Sequence, residues 1–175
     1  AISVQADIQS ESGCRELVNS TISAFHKIDI LVVSPGAGFT PSPFHELDAA
    51  EATLDVAKEV APAFHLMRLA LPDMYQRKWG RVVGMGQHLT KAYQPAYAHN
   101  AAKNSRTNLF LLAAEGETWA NGVTVNVIAP GPVETGVDSI DTAIEFCEHG
   151  AGWVDRPNTS AQDIAEAIAF LSSES

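Results

Sequence analysis

The sequence predicts an α/β fold, a parallel sheet flanked by helices, and three observations carry the prediction. Three short apolar runs, IDILVV at 28–33, RVVGM at 81–85 and VTVNVI at 123–128, are rich in β-branched residues, as strands covered on both faces are. Stretches with apolar residues at helical spacing separate them. The first and third runs close in Ser-Pro-Gly-Ala-Gly and Ala-Pro-Gly-Pro, where proline removes a ladder donor and glycine admits unusual backbone angles. Strands and helices alternating in this way imply βαβ units with right-handed crossovers. Ligands of such sheets bind at the carboxyl ends of the strands.

The elements follow in order. AISVQADI at 1–8 reads as a strand that breaks at Asp7. Residues 11–26 place Leu17, Val18, Ile22 and Phe25 at helical spacing, with Ser10 as the cap. The strand at 28–33 is followed by the loop PSPFHELDAAE and a long helix over about 49–77. Pro62 and Pro72 should interrupt that helix, Pro72 near a kink or a new start. Gly80 announces the strand at 81–85, and the polar stretch QHLTKAYQPAYAHN leads into a helix ending near Trp119. Asn121-Gly122 closes that helix before the strand at 123–128. After a segment without clear pattern to about residue 159, Ser160, Gln162 and Asp163 start an amphipathic helix through Leu171.

Composition narrows the class. At 175 residues the chain is read as one domain, 46% hydrophobic and 18% charged, a globular balance. Eleven basic against 21 acidic side chains give a formal charge of -10, which disfavours a nucleic-acid backbone or an anionic membrane as partner. No apolar run reaches the ~20 residues of a membrane span, and residues 1–20 lack the pattern of a secretory signal. Cys14 and Cys147 are few and far apart, which favours a reducing, cytoplasmic setting with structural thiols.

The chain resembles the short-chain dehydrogenase/reductase family over nearly its whole length. The residues that carry the resemblance are Ala6-Asp7, IDILVVSPGAG at 28–38, LPDM at 71–74, WGRVV at 79–83, VTVNVIAPGPVET at 123–135 and QDIAEAIAFLSSE at 162–174. The resemblance implies a Rossmann-like doubly wound parallel sheet. By comparison with the family, the first two strands, including the Gly-rich pyrophosphate turn, and the last strand are absent, so the chain is expected to be part of a longer domain. It implies NAD or NADP as cofactor, a small-molecule ketone/alcohol or enoyl substrate, and a homo-oligomer, dimer or tetramer. Cofactor contacts would fall at Asp7 and Ile8 near the adenine, and at Ser34, Pro35 and Gly36 after the first apolar run. Pro130, Gly131, Val133 and Thr135 would flank the nicotinamide.

The positions that carry the family's chemistry are changed. Family members use a tyrosine as proton donor or acceptor and a lysine four residues later that lowers the tyrosine's pKa, with a serine and an asparagine in support. Gap-free alignment puts Asn100, Asn104, Gln87 and Glu59 at those four positions. Tyr97 and Lys103, six apart at a helix entrance, are the leading replacements, with Gln87 in the serine's place. A one-residue shift instead pairs His99 with Lys103, four apart, where an imidazole serves near neutral pH. Tyr97 also stands seven before Asn104, and Tyr93, Lys91 and His88 share the preceding loop. Each of these also reads as an ordinary surface residue of a polar loop. A weakly catalytic or non-catalytic homologue, binding a nucleotide or another subunit, is the alternative. Glu59 reads either as a functional acid or as a surface or paired carboxylate. Asp138, Asp141, Glu145, Glu148 and His149 match no compact metal-ligand spacing, and no G-x-S-x-G supports a hydrolase.

Overall fold

The computed structural model describes residues 1–36, 42–87, 95–130, 133–134 and 159–174. Its centre is a three-stranded parallel sheet of β1 (Ile30–Val33), β2 (Gly80–Met85) and β3 (Val123–Ile128), in the order β1-β2-β3. Ile30 pairs with Arg81 and Val33 with Gly84; Gly80 pairs with Val123 and Met85 with Ile128. All three strands therefore point the same way. Residues 34–36, 86–87 and 129–130 leave from one edge.

Side chains alternate across each strand, so the register sorts them into two faces. Leu31, Val33, Val82, Val123 and Val125 share one face and are buried, packed with Cys14 and Val18 of α1 (Glu11–Phe25) and with Ala63, Leu66, Met67, Ala70 and Met74 of α2 (Ala49–Arg77). Phe110 of α3 (Tyr97–Glu115) completes that layer. Its ring lies so close to Gly84 that a Cβ there would stand 2.1 Å from it, so β2 has glycine where α3 crosses. The other face holds Ile30, Val32, Arg81 and Thr124. There Arg81 Nε donates to the carbonyl of Ser173 at 3.1 Å, which places the end of α4 (Ala161–Leu171) against it. Helices thus lie on both faces, as a doubly wound sheet requires.

The helix ends have identifiable chemistry. Ser10 Oγ accepts from Gly13 N–H and caps α1; Asp48 Oδ1 accepts from Ala50 and Glu51 N–H and caps α2. Ser160 and Asp163 form a reciprocal capping box on α4, each side chain bonding the other's backbone N–H. A two-residue pair of β4 (Val133–Glu134) and β5 (Thr159–Ser160), also parallel, precedes it.

Three expectations need correction. Residues 1–6 form no strand: no strand lies beside them among the described residues, and an extended run with apolar residues is assigned to a sheet only when a neighbour supplies the ladder. Residues 7–10 instead make a turn, with Ser10 N–H donating to Asp7 O at 3.2 Å and Gln9 N–H to Asp7 Oδ1 at 3.0 Å. The long helix is not interrupted; α2 runs unbroken through Pro62 and Pro72, held by the buried row on its inner face. The helix expected to reach Trp119 ends at Glu115, and a separate short 3-10 turn, Trp119–Asn121, follows. Gly122, at φ 76°, closes that turn in the left-handed region, and a Cβ there would stand 2.1 Å from the carbonyl oxygen of Lys78.

Candidate active site

The carboxyl ends of the three central strands deliver three backbone segments to one edge, and α3 stands against them. β1 ends into Ser34, exposed, Pro35, buried, and Gly36, where, its chain neighbours aside, no atom of the described residues lies within 4 Å of the place a Cβ would take. β2 ends into Gly86 and Gln87, and Gly86 N–H donates to Ile128 O at 2.8 Å, joining the exits of β2 and β3. β3 ends into Ala129 and Pro130, the latter half-buried. Val133 is half-buried in β4, and Asp7 and Ile8 lie in the turn before α1. Gly131 and Thr135 lie outside the described residues, as do Cys147, the acidic set from Asp138 to His149, and His88, Lys91 and Tyr93. Cys14 is a buried free thiol whose pKa is raised, chiefly by burial and secondarily by the Asp7 carboxylate.

Two of the four positions with changed residues, Gln87 and Asn100, are in direct contact, and a third, Glu59, is paired with α3. Gln87 is buried and its Nε2 donates to Asn100 Oδ1 at 2.6 Å; its backbone N–H donates to Thr107 Oγ1 at 3.0 Å. Glu59 and Arg106 are both fully buried and form an ion pair through Glu59 Oε2 and Arg106 Nη1. Lys103 Nζ lies 3.3 Å from Glu59 Oε1. One carboxylate thus meets two cations. Arg106 also donates from Nε to Met85 O at 2.7 Å and from Nη1 to Pro35 O at 3.0 Å. Its Nη2, Gln87 Oε1 and Asn104 Oδ1 are buried without a hydrogen-bond partner among the described residues.

Burial and charge shift this group together. Burial holds Lys103 below the usual lysine range, the nearby Arg106 guanidinium adds to the effect, and Glu59 opposes both. Burial also lowers Arg106, again against Glu59. His99 is pushed down to about 4, first by burial and then by the Lys103 ammonium, so its imidazole is neutral at pH 7.

The structure places Gln87 at the exit of β2 and Lys103 beside Glu59 of α2, while Tyr97 sits at the first residue of α3, its ring edge-on to Phe44 at 5.3 Å between centroids. Tyr97 is already helical, and six residues fall about 120° short of two full turns, so Tyr97 and Lys103 do not share a helix face. His99 and Lys103, four apart, do. Arg106 was missed from sequence. The signal that pointed to it was Glu59 on the inner face of an apolar helix, because a buried carboxylate needs a cationic partner.

A family model described as enoyl-(acyl carrier protein) reductase matches residues 1–175. The chain belongs to the short-chain dehydrogenase/reductase family. It is 34% identical over 140 residues to 2,3-dihydroxy-2,3-dihydro-p-cumate dehydrogenase of Pseudomonas putida, covering 78% of this chain and 53% of that protein. It is 27% identical over 173 residues to a 3-oxoacyl-(acyl-carrier-protein) reductase of Haemophilus influenzae, covering 96% of this chain and 69% of that one. The chain therefore spans about half the length of the first of these relatives. Among solved structures, NADP-bound ElxO superposes with a TM-score of 0.83 at 21% identity, covering 98% of this chain and 70% of that one. L-sorbose reductase from Gluconobacter frateurii, complexed with NADPH and L-sorbose, gives 0.81 at 24%, covering 98% and 69%. These likenesses show the fold. No described helix is long and apolar enough to cross a membrane.

Proposed function

We propose that the chain supplies the carboxyl edge and the acid-base face of an NAD(P)-dependent oxidoreductase acting on a small ketone/alcohol or enoyl substrate. The observation that carries this reading is the convergence of three parallel strand exits beside α3 in a chain that the family model matches throughout. Among the described residues nothing crowds Gly36, which lets a flat dinucleotide approach the backbone there, so the described residues fit NAD or NADP. Ser34, Pro35 and Gly36 would hold it at β1, Asp7 and Ile8 at the adenine side, and Pro130, Gly131, Val133 and Thr135 around the nicotinamide. When bound, that group supplies or accepts the hydride.

The chain's own residues then orient the substrate oxygen and move its proton. Gln87, with a buried amide oxygen that no described group satisfies, orients the substrate. Lys103, anchored by Glu59, is the cation. Tyr97 is the proton carrier in the reading drawn from sequence. A second reading, favoured by the shared helix face and the common neighbour Glu59, gives that role to His99. Its neutral imidazole can accept the proton of an alcohol during oxidation. Self-association as a dimer or tetramer belongs to this reading and is supported by Leu54 and Phe64 exposed on α2 and Leu112 on α3. A cytoplasmic setting is supported by the free thiol of Cys14.

Fluorescence titration of the full-length protein with NADH and NADPH tests the reading: one of them should bind, and binding of neither refutes it. A panel of alcohols, ketones and enoyl thioesters followed at the nicotinamide absorbance then reports turnover. Tyr97→Phe and His99→Gln separate the two proton carriers, because only the true one should lower kcat by about 100-fold or more while sparing cofactor affinity.

A further inference from the structure

We propose that Arg106 is a positioning residue for the cofactor edge, binding the exits of β1 and β2 to α2 and α3 so that residues 34–36 keep the shape that receives the dinucleotide. The inference rests on the oxidoreductase reading above and adds a residue that neither the family match nor the sequence reading assigns.

Two backbone carbonyls at the strand exits lie off the β1–β2 ladder. Met85 is the last residue of β2, and Pro35 stands two residues beyond β1, so neither carbonyl continues the ladder between these strands. Buried carbonyls of this kind need donors. Arg106 supplies them from one side chain, Nε to Met85 O at 2.7 Å and Nη1 to Pro35 O at 3.0 Å. A guanidinium holds its donors in a rigid planar fork, so two carbonyls bound to it are fixed relative to each other. Glu59 of α2 binds the same Nη1 and supplies the opposite charge, and both side chains have zero exposure. The neighbouring residue extends the grip: Thr107 Oγ1 accepts Gln87 N–H at 3.0 Å and donates to Lys103 O at 2.8 Å. A Cβ at Gly86 would stand 2.3 Å from that hydroxyl, so α3 lies directly on the exit of β2. Two successive residues of one helix therefore hold the backbone at 35, 85 and 87.

Net stability does not account for this arrangement. A buried ion pair is commonly matched or exceeded by apolar residues of similar volume. What apolar residues cannot reproduce is the fixed spacing of the two strand exits.

Two variants of the protein test the proposal, each confirmed as folded by circular dichroism. Arg106→Lys keeps a charge opposite Glu59 but has no fork. The double variant Glu59→Met/Arg106→Met replaces the buried pair with apolar side chains of similar length. The affinity for whichever dinucleotide the parent binds, NADPH or NADH, is read by fluorescence titration, and KM and kcat by steady-state turnover. The expected result is a Kd for that dinucleotide at least about tenfold weaker in both variants. In Arg106→Lys, the cofactor KM should rise while kcat at saturation changes by less than about threefold. Folded variants that bind that dinucleotide like the parent would overturn the proposal. Failure of both variants to fold would overturn it too, making Arg106 a structural residue only. Absence of NADPH and NADH binding by the parent would instead refute the oxidoreductase reading.

Discussion

Replacing Glu59 by glutamine should destabilise the protein severely, although the two side chains are nearly the same shape. The substitution removes the negative charge that, among the described residues, is shared by Arg106, fully buried, and Lys103, 17% exposed. At 3.3 Å from Lys103 Nζ, a full charge at an effective dielectric of about 20 is worth about 5 kcal/mol of gross attraction, part of which solvent at Lys103 screens. The interaction with Arg106 is lost as well, leaving a buried guanidinium without a counter-charge. Removing one partner of a buried pair typically costs about 3–5 kcal/mol, a large share of the 5–15 kcal/mol that holds a domain folded. Urea unfolding followed by tryptophan fluorescence is the assay. With an m-value of about 2 kcal/mol/M, a loss of 4 kcal/mol lowers the midpoint by about 2 M. A loss below about 1 kcal/mol would show that Glu59 does not stand buried between the two cations. Glu59→Met/Arg106→Met, which removes both charges of the buried pair, should recover the part of the loss that comes from Arg106, while Lys103 still lacks its carboxylate.

Other consequences follow from particular contacts. His99 titrates at about 4 when folded and near 6.5 when unfolded, so the unfolded chain binds the extra proton first. Stability is fully present above pH 6.5 and falls as the pH drops toward 4, by up to about 3 kcal/mol, with Lys103 and Arg106 opposing and Glu59 and Asp55 favouring protonation. His99→Gln should flatten acid unfolding in that window, and an unchanged profile would place the imidazole in solvent. Gly84→Val would drive a side chain into Phe110 and should cost about 1–3 kcal/mol in a thermal melt; a neutral result would mean that α3 does not cross β2 there. Ser160→Ala removes the capping box of α4 and should lower stability by about 1 kcal/mol by urea titration, whereas an unchanged midpoint would show that the box contributes nothing.

Much of the fold was legible because each central strand carries its own signal. IDILVV, RVVGM and VTVNVI are buried β-branched runs with helices between them, and the caps at Ser10 and Ser160 announce helix starts by local chemistry. Features that depend on distant partners were not legible. AISVQADI has strand-like composition, yet a strand exists only where a neighbour pairs with it. Pro62 and Pro72 suggest breaks, but the packed row from Ala63 to Met74 outweighs two lost helical hydrogen bonds. At the site, the sequence showed which positions had changed and left open where α3 begins. That starting point decides which residues share a face with Lys103. Arg106 was hidden in the polar stretch NSRTN, where an arginine reads as solvent-facing until Glu59 and the carbonyls of Pro35 and Met85 are seen beside it.

Crystals of the full-length protein grown with saturating NADPH, and in parallel with NADH, would show where the dinucleotide lies. One dinucleotide should lie across the carboxyl ends of β1 and β3, against residues 34–36 and Pro130, with its nicotinamide facing α3 near Lys103. An ordered dinucleotide bound elsewhere on the molecule, or an edge that stays empty with both, would contradict it.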